Sequence, residues 1–579
     1  MNRLLTLVPL LLLFGPSSMS QSPIFELNKQ LGKGINMGNM FEAPTETEWG
    51  NPFKDDYFQR IASLGFNHVR IPIRWDTPAR TLQTEPYTID NAFLQRIKYV
   101  VDKALNEKLY VIINMHHHDA IFSTPDAVKS RFLSQWKQIA EFFKGYDNRL
   151  VFEVMNEPNT NLTPEKWNVF FADALAMIRS VSKTRAVLMG VANWGGLGNI
   201  SALKIPKDDN LILTIHYYEP FNFTHQGAEW VSNSQGWLGT KWNNTTLERD
   251  AIANQFQYAK AFAKANNLPI HIGEFGAYSK ADLDSRVKWS NFLARWFEEN
   301  GFSWAYWEFS AGFGIYNPAT NQYLQPLVDA LTKNPMSQPV VVITKKIVES
   351  AFTETDNDWN LYVQGTAKAT KNLSKGTATI AVSQPSTDWW HVQFVRNNLA
   401  LKKGSTYLVT FEASASSDAG FTTYIGKASG AYNAYSGYKG FTATNGFQTF
   451  SYTFTMQDPD DAQARIVFDL ASTQTTFSIK NFTLQEIISD GTSPILSAAV
   501  TSPEVSVFPN PAQTEVLIKG IERFSSYQLV DALGKVLATS PLHHEPTINV
   551  ALPHSSTNLL LLILRNEQEV KVVKIKKVE

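Results

Sequence analysis

Short apolar runs alternate with amphipathic stretches along the chain up to about residue 335. Residues 90–105 show the pattern, because Asp90 can cap a helix and apolar side chains then recur every three or four positions. The apolar run 110–114 that follows is typical of a buried strand. Strands are predicted in this way at residues 31–38, 67–73, 110–114, 150–156, 186–190, 211–216, 269–274 and 302–308.

Strands that alternate with helices predict an α/β domain with a parallel sheet, and eight such units close into a (β/α)8 TIM barrel. The structural alternative is a doubly wound open sheet. That fold places a glycine-rich phosphate loop and a helix after its first strand, whereas residues 34–38 run into polar and aromatic sequence. We therefore predict a barrel over residues 21–337.

Helical periodicity fades after this region. Residues 338–488 are rich in Thr, Ser, Tyr and Val with frequent turns, which predicts an antiparallel β-sandwich. We place a linker at residues 489–502. Residues 503–579 are predicted to form a small C-terminal β-sandwich-like domain, which ends in a strand where basic and apolar residues alternate.

The first 20 residues have the pattern of an export signal. Arg3 precedes an apolar run at residues 4–14, and small residues Ser18 and Ser20 stand at the spacing that a signal peptidase reads. No later apolar run approaches the roughly 20 residues of a membrane helix. We therefore expect a secreted protein, extracellular or attached to the cell surface, without a membrane span.

Charge and cysteine content exclude other classes. The 52 Lys and Arg residues nearly balance 53 Asp and Glu residues, so no broad basic field exists to bind nucleic acid. The chain has no cysteine, which excludes a disulfide-stapled scaffold. We expect no nucleic-acid partner.

Polar side chains cluster where the predicted barrel strands end, which is where barrel enzymes place their chemistry. Two carboxylates, Glu157 and Glu274, each directly end an apolar strand. Breaking a glycosidic bond needs one carboxyl to protonate the leaving oxygen and another to attack the anomeric carbon or activate water. The other polar residues at strand ends are Arg70, His116, His117, Asn156, His216, Tyr218, Trp307 and Glu308.

Two alternative interpretations apply to these residues. For any one of these residues alone, a structural interpretation is favoured: a solvated loop residue or, for a histidine, a satisfied core residue. The recurrence of the whole set at successive strand ends favours a functional site instead. The run 116–118 of three histidines suggests metal ligands, yet neighbouring residues on a strand point to opposite faces, so the run does not converge on one ion. We predict no metal and no cofactor.

Several ordered motifs resemble glycoside hydrolase family 5. Residues 150–158, LVFEVMNEP, resemble its Asn-Glu-Pro signature, and the resemblance covers about residues 25–335. The other matching blocks are Arg70-Ile71-Pro72, Asn114-Met115-His116-His117, His216-Tyr217-Tyr218, Ile272-Gly273-Glu274-Phe275-Gly276 and Trp304-Ala305-Tyr306-Trp307-Glu308-Phe309.

The resemblance implies residue roles. Glu157 would be the acid/base and Glu274 the nucleophile of a retaining hydrolase, with their carboxyl groups about 5–5.5 Å apart. Arg70 and Tyr218 are expected to hydrogen-bond Glu274 and keep it ionised. Asn156 would hold the sugar 2-hydroxyl, and Trp307 would offer a flat apolar face to the ring. His116, His117 and His216 would line the cleft.

Asn39 with its neighbours, and the long segment 220–230 that contains Trp230, look most like the cellulase branch and the branches that also accept mannan. This resemblance favours an endoglucanase acting on β-1,4-glucosidic bonds of cellulose or mixed-linkage β-glucan. An endo-β-1,4-mannanase or glucomannanase is the alternative. A non-catalytic sugar-binding surface protein is the alternative from another class.

The predicted sandwich resembles carbohydrate-binding modules of families 4 and 9, through residues 390–394, 399–411 and 477–482. Lys480 departs from that pattern. Trp389 and Trp390, if on one strand, point to opposite faces, so one would pack in the core and the other would meet sugar together with Gln393. The alternative is that both are structural or that the domain is a spacer. The same two interpretations, sugar binding and a structural role, apply to Tyr432, Tyr435 and Tyr438.

The last domain resembles the C-terminal sorting domain of type IX secretion. Its opening motif at residues 507–512 and its closing basic strand at residues 571–577 carry the resemblance. The resemblance implies that the type IX machinery is a partner and that the domain is removed after export. A solvated edge strand is the alternative.

Overall fold

A computed structural model of the protein describes residues 22–489 and, further on, 505–522, 524–531, 535–543, 545, 547–553, 558–566 and 570–578. The predicted signal peptide, residues 1–20, and all but the first residue of the predicted linker lie outside the described residues. The chain divides into two compact units between residues 492 and 493. Each unit is described by itself.

Eight parallel strands pair in sequence order and close into a barrel, because β1 hydrogen-bonds both β2 and β8. The predicted (β/α)8 barrel is therefore confirmed, and the open sheet is wrong. The strands are β1 (Lys33–Asn36), β2 (His68–Ile71), β3 (Tyr110–Asn114), β4 (Leu150–Glu153), β5 (Val187–Gly190), β6 (Leu211–His216), β7 (Ile270–Phe275) and β8 (Ser303–Tyr306), and a hairpin of β9 (Tyr316–Asn317) and β10 (Gln322–Tyr323) follows.

Helices surround the barrel. Asp90 caps α3 as predicted, since its side chain accepts a hydrogen bond from the Phe93 backbone N–H at 2.8 Å. Helix α1 closes the N-terminal end, where Ile24 and Leu31 pack against strand residues. The helices are α1 (Pro23–Leu31), α2 (Tyr57–Ser63), α3 (Asn91–Asn106), α4 (Asp119–Ser123), α5 (Pro125–Phe142), α6 (Pro164–Val181), α7 (Phe221–Thr224), α8 (Thr246–Ala265), α9 (Leu283–Glu299) and α10 (Gln325–Thr332).

Several predicted strands extend beyond the observed ones at the end that carries the polar residues. Strand β4 ends at Glu153, yet the backbone N–H of Asn156 still donates to the carbonyl of Met115 at 3.0 Å. In the same way, the Trp307 N–H donates to the Phe275 carbonyl at 2.8 Å. These bonds fix the residues just past the strand ends, so the polar side chains there sit on a rigid rim.

Two antiparallel sheets pack around a second hydrophobic core and confirm the predicted β-sandwich. One sheet has the order β13-β14-β21-β16-β19 with β11 beside β21, and the other has the order β12-β15-β20-β17-β18. The strands are β11 (Ile343–Glu349), β12 (Trp359–Val363), β13 (Lys368–Ser374), β14 (Thr377–Gln384), β15 (Val392–Leu401), β16 (Thr406–Ala415), β17 (Ala419–Gly426), β18 (Lys439–Ala443), β19 (Gln448–Thr455), β20 (Asp461–Asp469) and β21 (Thr475–Ser489).

The barrel and the sandwich contact each other within the first unit. Helix α8 packs against β19, and the Ser201 hydroxyl donates to Asp418 at 2.8 Å. The connecting segment, residues 333–342, is bound at the start of α8. There the Val340 N–H donates to the Asn244 carbonyl at 2.8 Å, and the Thr246 N–H donates to the Val340 carbonyl at 2.9 Å.

The second unit has two small antiparallel sheets, with the orders β22-β23-β26 and β25-β24-β27-β28. Its core includes Val516, Ile518, Leu560 and Leu562. Among the described residues of both units, none of the helices combines the length and apolar character needed to cross a bilayer. The strands are β22 (Ser506–Phe508), β23 (Glu515–Lys519), β24 (Ser526–Asp531), β25 (Val536–Pro541), β26 (Thr547–Ala551), β27 (Leu559–Arg565) and β28 (Val570–Lys576).

Candidate active site

Glu274 lies on β7 at the end of the barrel where the polar residues gather, and it is buried. The Arg70 guanidinium donates to its Oε1 at 2.7 Å, and the Tyr218 hydroxyl donates to its Oε2 at 2.9 Å. Burial raises the pKa of Tyr218 well above its usual value, and the Glu274 charge adds to this rise. Tyr218 therefore keeps its proton and remains a donor to the carboxylate.

Arg70 is fully buried and holds the network together from β2. It forms a two-pronged ion pair with Glu153, with Nε 2.6 Å from Oε2 and Nη2 3.0 Å from Oε1. It also donates to the side-chain oxygens of Asn36 at 2.8 Å and Asn156 at 2.5 Å. Burial disfavours the charge on Arg70, but Glu153 and Glu274 outweigh it and raise its pKa.

Glu157 lies beside Glu274, and His216 joins the two. His216 Nδ1 is 2.8 Å from Glu157 Oε1 and 3.7 Å from Glu274 Oε2. One carboxylate oxygen from each glutamate and one ring nitrogen of His216 all lie within 4.8 Å of one another. Burial disfavours the charged form of His216, yet the charges of Glu274 and Glu157 more than compensate and raise its pKa. The sequence-predicted pair of carboxylates thus meets in one site.

Two glycines let the backbone approach the His216 ring. A Cβ on Gly195 would lie 3.1 Å from the ring, and one on Gly273 would lie 3.0 Å from Nε2. Gly195 also has a φ of +72°, which side chains with a Cβ rarely adopt. The ring therefore packs closely between the loop after β5 and strand β7.

The three consecutive histidines diverge, as their alternation predicts. His116 stacks on Trp307 with ring centroids 5.6 Å apart and planes 12° apart, whereas His117 meets the edge of Trp49 at 5.9 Å. His118 points elsewhere and lies 3.2 Å from Asp76. Burial lowers the pKa of His116 well below its usual value, so it is neutral. His116 therefore packs against one face of the Trp307 indole.

The only group of described residues whose donor atoms are arranged as for a metal ion is Glu157, His216 and Glu274 itself. Both oxygens of Glu274 already accept hydrogen bonds, from Arg70 and Tyr218. The positive charge that a metal would supply is provided by the Arg70 guanidinium. This set of side chains therefore fits acid/base chemistry better than metal binding.

The long segment after β6 lines the same cavity as Glu157. Phe221 stacks on His225 with centroids 4.1 Å apart, and Trp230 meets the edge of Tyr278 at 4.9 Å. Trp230 is 61% exposed, so one face of its indole is free for a ligand. Asn39 lies on the first loop with a φ of +63°, and its backbone N–H donates to the buried carboxylate of Glu42.

Sequence reasoning missed Trp194, which is 56% exposed and lines the same cavity as Glu157. Asn193, Trp194 and Gly195 have positive φ angles in succession, and both Asn193 and Trp194 donate backbone hydrogen bonds to the Pro158 carbonyl. A bulky side chain held in this conformation is costly, and such strain clusters at functional sites. Three consecutive positive φ angles could not be inferred from the letters NWG.

The prediction for Trp389 and Trp390 is wrong in its geometry. The two residues lie on a 3-10 helix, Trp389–His391, where side chains do not alternate across a sheet. Both are about 40% exposed, at 41% and 40%, so neither packs in the core. Trp389 instead meets the edge of Tyr438 at 5.6 Å.

Gln393 lies on β15 and donates through its amide to Asp469 Oδ1 at 2.7 Å. Burial raises the pKa of Asp469 to about 7, which the hydrogen bond from Gln393 only partly offsets. Tyr432 stacks under Arg465 at 4.8 Å, and the Tyr435 hydroxyl donates to Asp461 at 2.9 Å. Of the three tyrosines, Tyr438 is the one that contacts an exposed tryptophan, Trp389.

Comparison with known proteins agrees with this arrangement. The profile of cellulase (glycosyl hydrolase family 5) matches residues 31–312, and that of a carbohydrate binding domain matches residues 344–475. The chain is similar to Endoglucanase H of Acetivibrio thermocellus, with 38% identity over 333 residues that span 56% of this chain but only 35% of that protein. It is also similar to Endoglucanase A of Clostridium longisporum, with 29% identity over 56% of this chain and 70% of that protein.

Solved structures similar to the barrel include Thermotoga maritima Cel5A in complex with mannotriose and in complex with cellobiose. Each is 47% identical with a TM-score of 0.52, over 53% of this chain and 99% of that chain. The similarity therefore covers that whole enzyme, whereas it covers a minor part of Endoglucanase H. The N-terminal barrel of this chain belongs to glycosyl hydrolase family 5, and a carbohydrate binding domain follows it.

Proposed function

We propose that the chain is an endo-acting, retaining β-1,4-glucanase in which Glu274 is the nucleophile and Glu157 the acid/base. The observation that carries the proposal is the approach of the two carboxyl groups, whose oxygens lie within 4.8 Å of each other. Retaining glycosidases keep their carboxyl groups about 5–5.5 Å apart, whereas inverting enzymes leave about 6.5–9.5 Å for a water molecule. The spacing favours direct attack by a carboxylate.

The proposed reaction has two displacements. Glu274 attacks the anomeric carbon while Glu157 gives its proton to the leaving oxygen, which forms a glycosyl-enzyme ester and releases the shortened chain. Glu157, now a carboxylate, takes a proton from water as the water oxygen attacks the same carbon. The ester bond to Glu274 breaks and both carboxyl groups return to their first state.

The surrounding residues have distinct tasks in this proposal. Arg70 and Tyr218 orient Glu274 and stabilise its negative charge before it attacks and when the ester bond breaks. Asn156 uses its side-chain oxygen for Arg70, which leaves its amide nitrogen to donate to a sugar hydroxyl. Trp307, with His116 packed against its indole, supports the apolar face of a sugar ring.

Relatives support a glucan substrate and keep a second candidate open. The two relatives from Acetivibrio thermocellus and Clostridium longisporum described above are named endoglucanases, and Cel5A has been crystallised with both cellobiose and mannotriose. A glucomannanase is therefore the second candidate. A non-catalytic binding protein is disfavoured, because a barrel without activity has no need for the costly burial of Arg70, Glu153 and Glu274.

A substrate panel tests the function. We expect reducing ends to appear from carboxymethyl-cellulose and mixed-linkage glucan faster than from glucomannan and mannan, and the viscosity of carboxymethyl-cellulose to fall early, as internal cleavage requires. Proton NMR of the first products should show the β-anomer. Absence of hydrolysis on all four substrates, or a first product with the α-anomer, would overturn the proposal.

We further propose that residues 503–579 direct export through type IX secretion and that the enzyme acts outside the cell or on its surface. The sequence motifs at both ends of this segment support this, and the segment's own core supports an independent fold. The test is a reporter protein carrying an export signal and residues 503–579, expressed in a host with type IX machinery. We expect the reporter in the medium or on the surface, and retention in the periplasm would contradict the proposal.

A further inference from the structure

One cavity joins the catalytic barrel to the β-sandwich. It has a volume of about 960 Å³, begins at Glu157 and His216, passes Trp194 and Tyr258, and ends at strands β18 and β19. Pockets for single small ligands measure roughly 300–1,000 Å³. The cavity is therefore large enough for more than the one sugar unit that reacts.

The cavity lies on the side of the acid/base. Glu157 lines it, while Glu274 and Trp307 do not. A general acid stands next to the oxygen that it protonates, so the leaving part of the substrate lies on its side of the cleft. A glycan that reacts at Glu157 and Glu274 would therefore extend its leaving part into this cavity.

The sandwich presents an unusual edge to this cavity. Strands β18 and β19 stand at the ends of the two opposite sheets, so the opening between the sheets faces the barrel. Phe441 and Phe450 line the cavity at this opening, together with the polar residues Thr442, Gln448 and Thr449. Sugars are bound by this mixture of apolar ring surface and hydrogen-bonding groups.

Gln448 has capacity to bind a ligand. Its side-chain oxygen accepts from the Thr444 hydroxyl at 3.3 Å, whereas its amide nitrogen has no protein partner among residues 22–489. Thr449 follows it, and its strand partner is Glu412 on β16.

The position of this edge is fixed from two directions. Helix α8 packs on β19, and Ser201, which also lines the cavity, donates to Asp418 of the sandwich. The connecting segment is bound to the start of α8, as Asn244 donates to the Gln338 carbonyl at 2.9 Å. The edge strands are therefore held beside the cleft.

We propose that strands β18 and β19 of the sandwich form the outer leaving-group subsites of the catalytic cleft, where they bind the β-glycan chain beyond Trp194. This inference rests on the proposed function. It assigns to the carbohydrate binding domain a second contact with the substrate, separate from the exposed tryptophans of its 3-10 helix, which do not line the cavity.

The test compares two substrates on the full chain. Cellohexaose reaches the outer leaving-group subsites, whereas p-nitrophenyl cellobioside places only its aryl group next to Glu157. The variant Thr449→Arg puts a long side chain into the cavity, since Thr449 lines it. We expect kcat/KM for cellohexaose to fall about tenfold or more, since a blocked subsite misplaces the chain, with no change for p-nitrophenyl cellobioside.

Thr453→Arg is the matched control. Thr453 lies on the same face of the same strand roughly 13 Å away, is exposed and does not line the cavity. We expect this variant to cleave both substrates like the unaltered protein.

A second variant keeps the test decisive if Thr449→Arg does not fold. Gln448→Ala removes one hydrogen-bonding group, and kcat/KM for cellohexaose should fall roughly two- to tenfold. Unchanged cellohexaose cleavage by either folded variant, or equal losses on both substrates, would overturn the inference. If the unaltered protein cleaves neither substrate, the proposed function fails instead.

Discussion

Replacing Glu274 by alanine is expected to lower kcat on carboxymethyl-cellulose by on the order of 10⁴-fold or more, as removal of a covalent nucleophile does in other hydrolases. Without this carboxylate no glycosyl-enzyme ester forms, and the Arg70 charge loses one of its two carboxylate partners. The measurement is reducing-sugar release at saturating substrate, with circular dichroism to verify the fold. Activity near that of the unaltered protein would remove the nucleophile assignment.

Azide distinguishes the two carboxylates in the same experiment. With an activated aryl cellobioside, azide replaces the missing carboxylate of Glu274→Ala on the same face and yields the α-glycosyl azide. In Glu157→Ala, azide attacks the glycosyl-enzyme and yields the β-glycosyl azide. Glu141→Gln, on the surface of α5, is the control and should keep full activity. The opposite assignment of the two azides would exchange the proposed roles.

Replacing Arg70 by leucine is expected to destabilise the barrel by about 3–5 kcal/mol, because it leaves buried carboxylates without their cation. Glu153 is fully buried and loses both of its hydrogen bonds to the guanidinium. Activity should fall as well, since Glu274 loses its charged partner. Urea unfolding of the full chain, followed by tryptophan fluorescence, measures the loss.

Lys288→Leu provides the comparison for this loss. Lys288 pairs with Asp284 on the surface of α9 at 2.5 Å, and an exposed pair of this kind contributes about 0.2–1 kcal/mol. If Arg70→Leu is no less stable than Lys288→Leu, the network of Arg70, Glu153 and Glu274 does not carry the stability that we assign to it.

The barrel could be predicted from the sequence because its signals are local. Each strand is a short apolar run next to an amphipathic helix, and both patterns can be recognised within a short segment of sequence. The carboxylates Glu157 and Glu274 could be found for a similar reason, since Glu157 stands a few residues past an apolar strand and Glu274 near the end of another. Their meeting followed from the closed barrel, which brings all strand ends to one rim.

Other features depended on contacts that no local pattern shows. Glu153 stands inside an apolar strand, and only the position of Arg70 across the barrel explains it. Trp194 has a positive φ angle, and its backbone hydrogen bond to the distant Pro158 carbonyl helps to hold this conformation. The residues around Trp389 and Trp390 are compatible with a strand. In the structure, however, both lie on a single turn of 3-10 helix, which determines where their side chains point.

In the proposed function, the bound connecting segment, residues 333–342, determines how the chain moves from one site on a polysaccharide to the next. With a flexible tether, a catalytic domain could reach many glycosidic bonds around one bound module. The length of the tether would set the local concentration of the catalytic domain at those bonds. Here the Val340 backbone is hydrogen-bonded to Asn244 and Thr246, so the two domains of the first unit diffuse and land together. Each binding event places one stretch of glycan in the cleft. To reach the next stretch, both domains must dissociate from the polysaccharide.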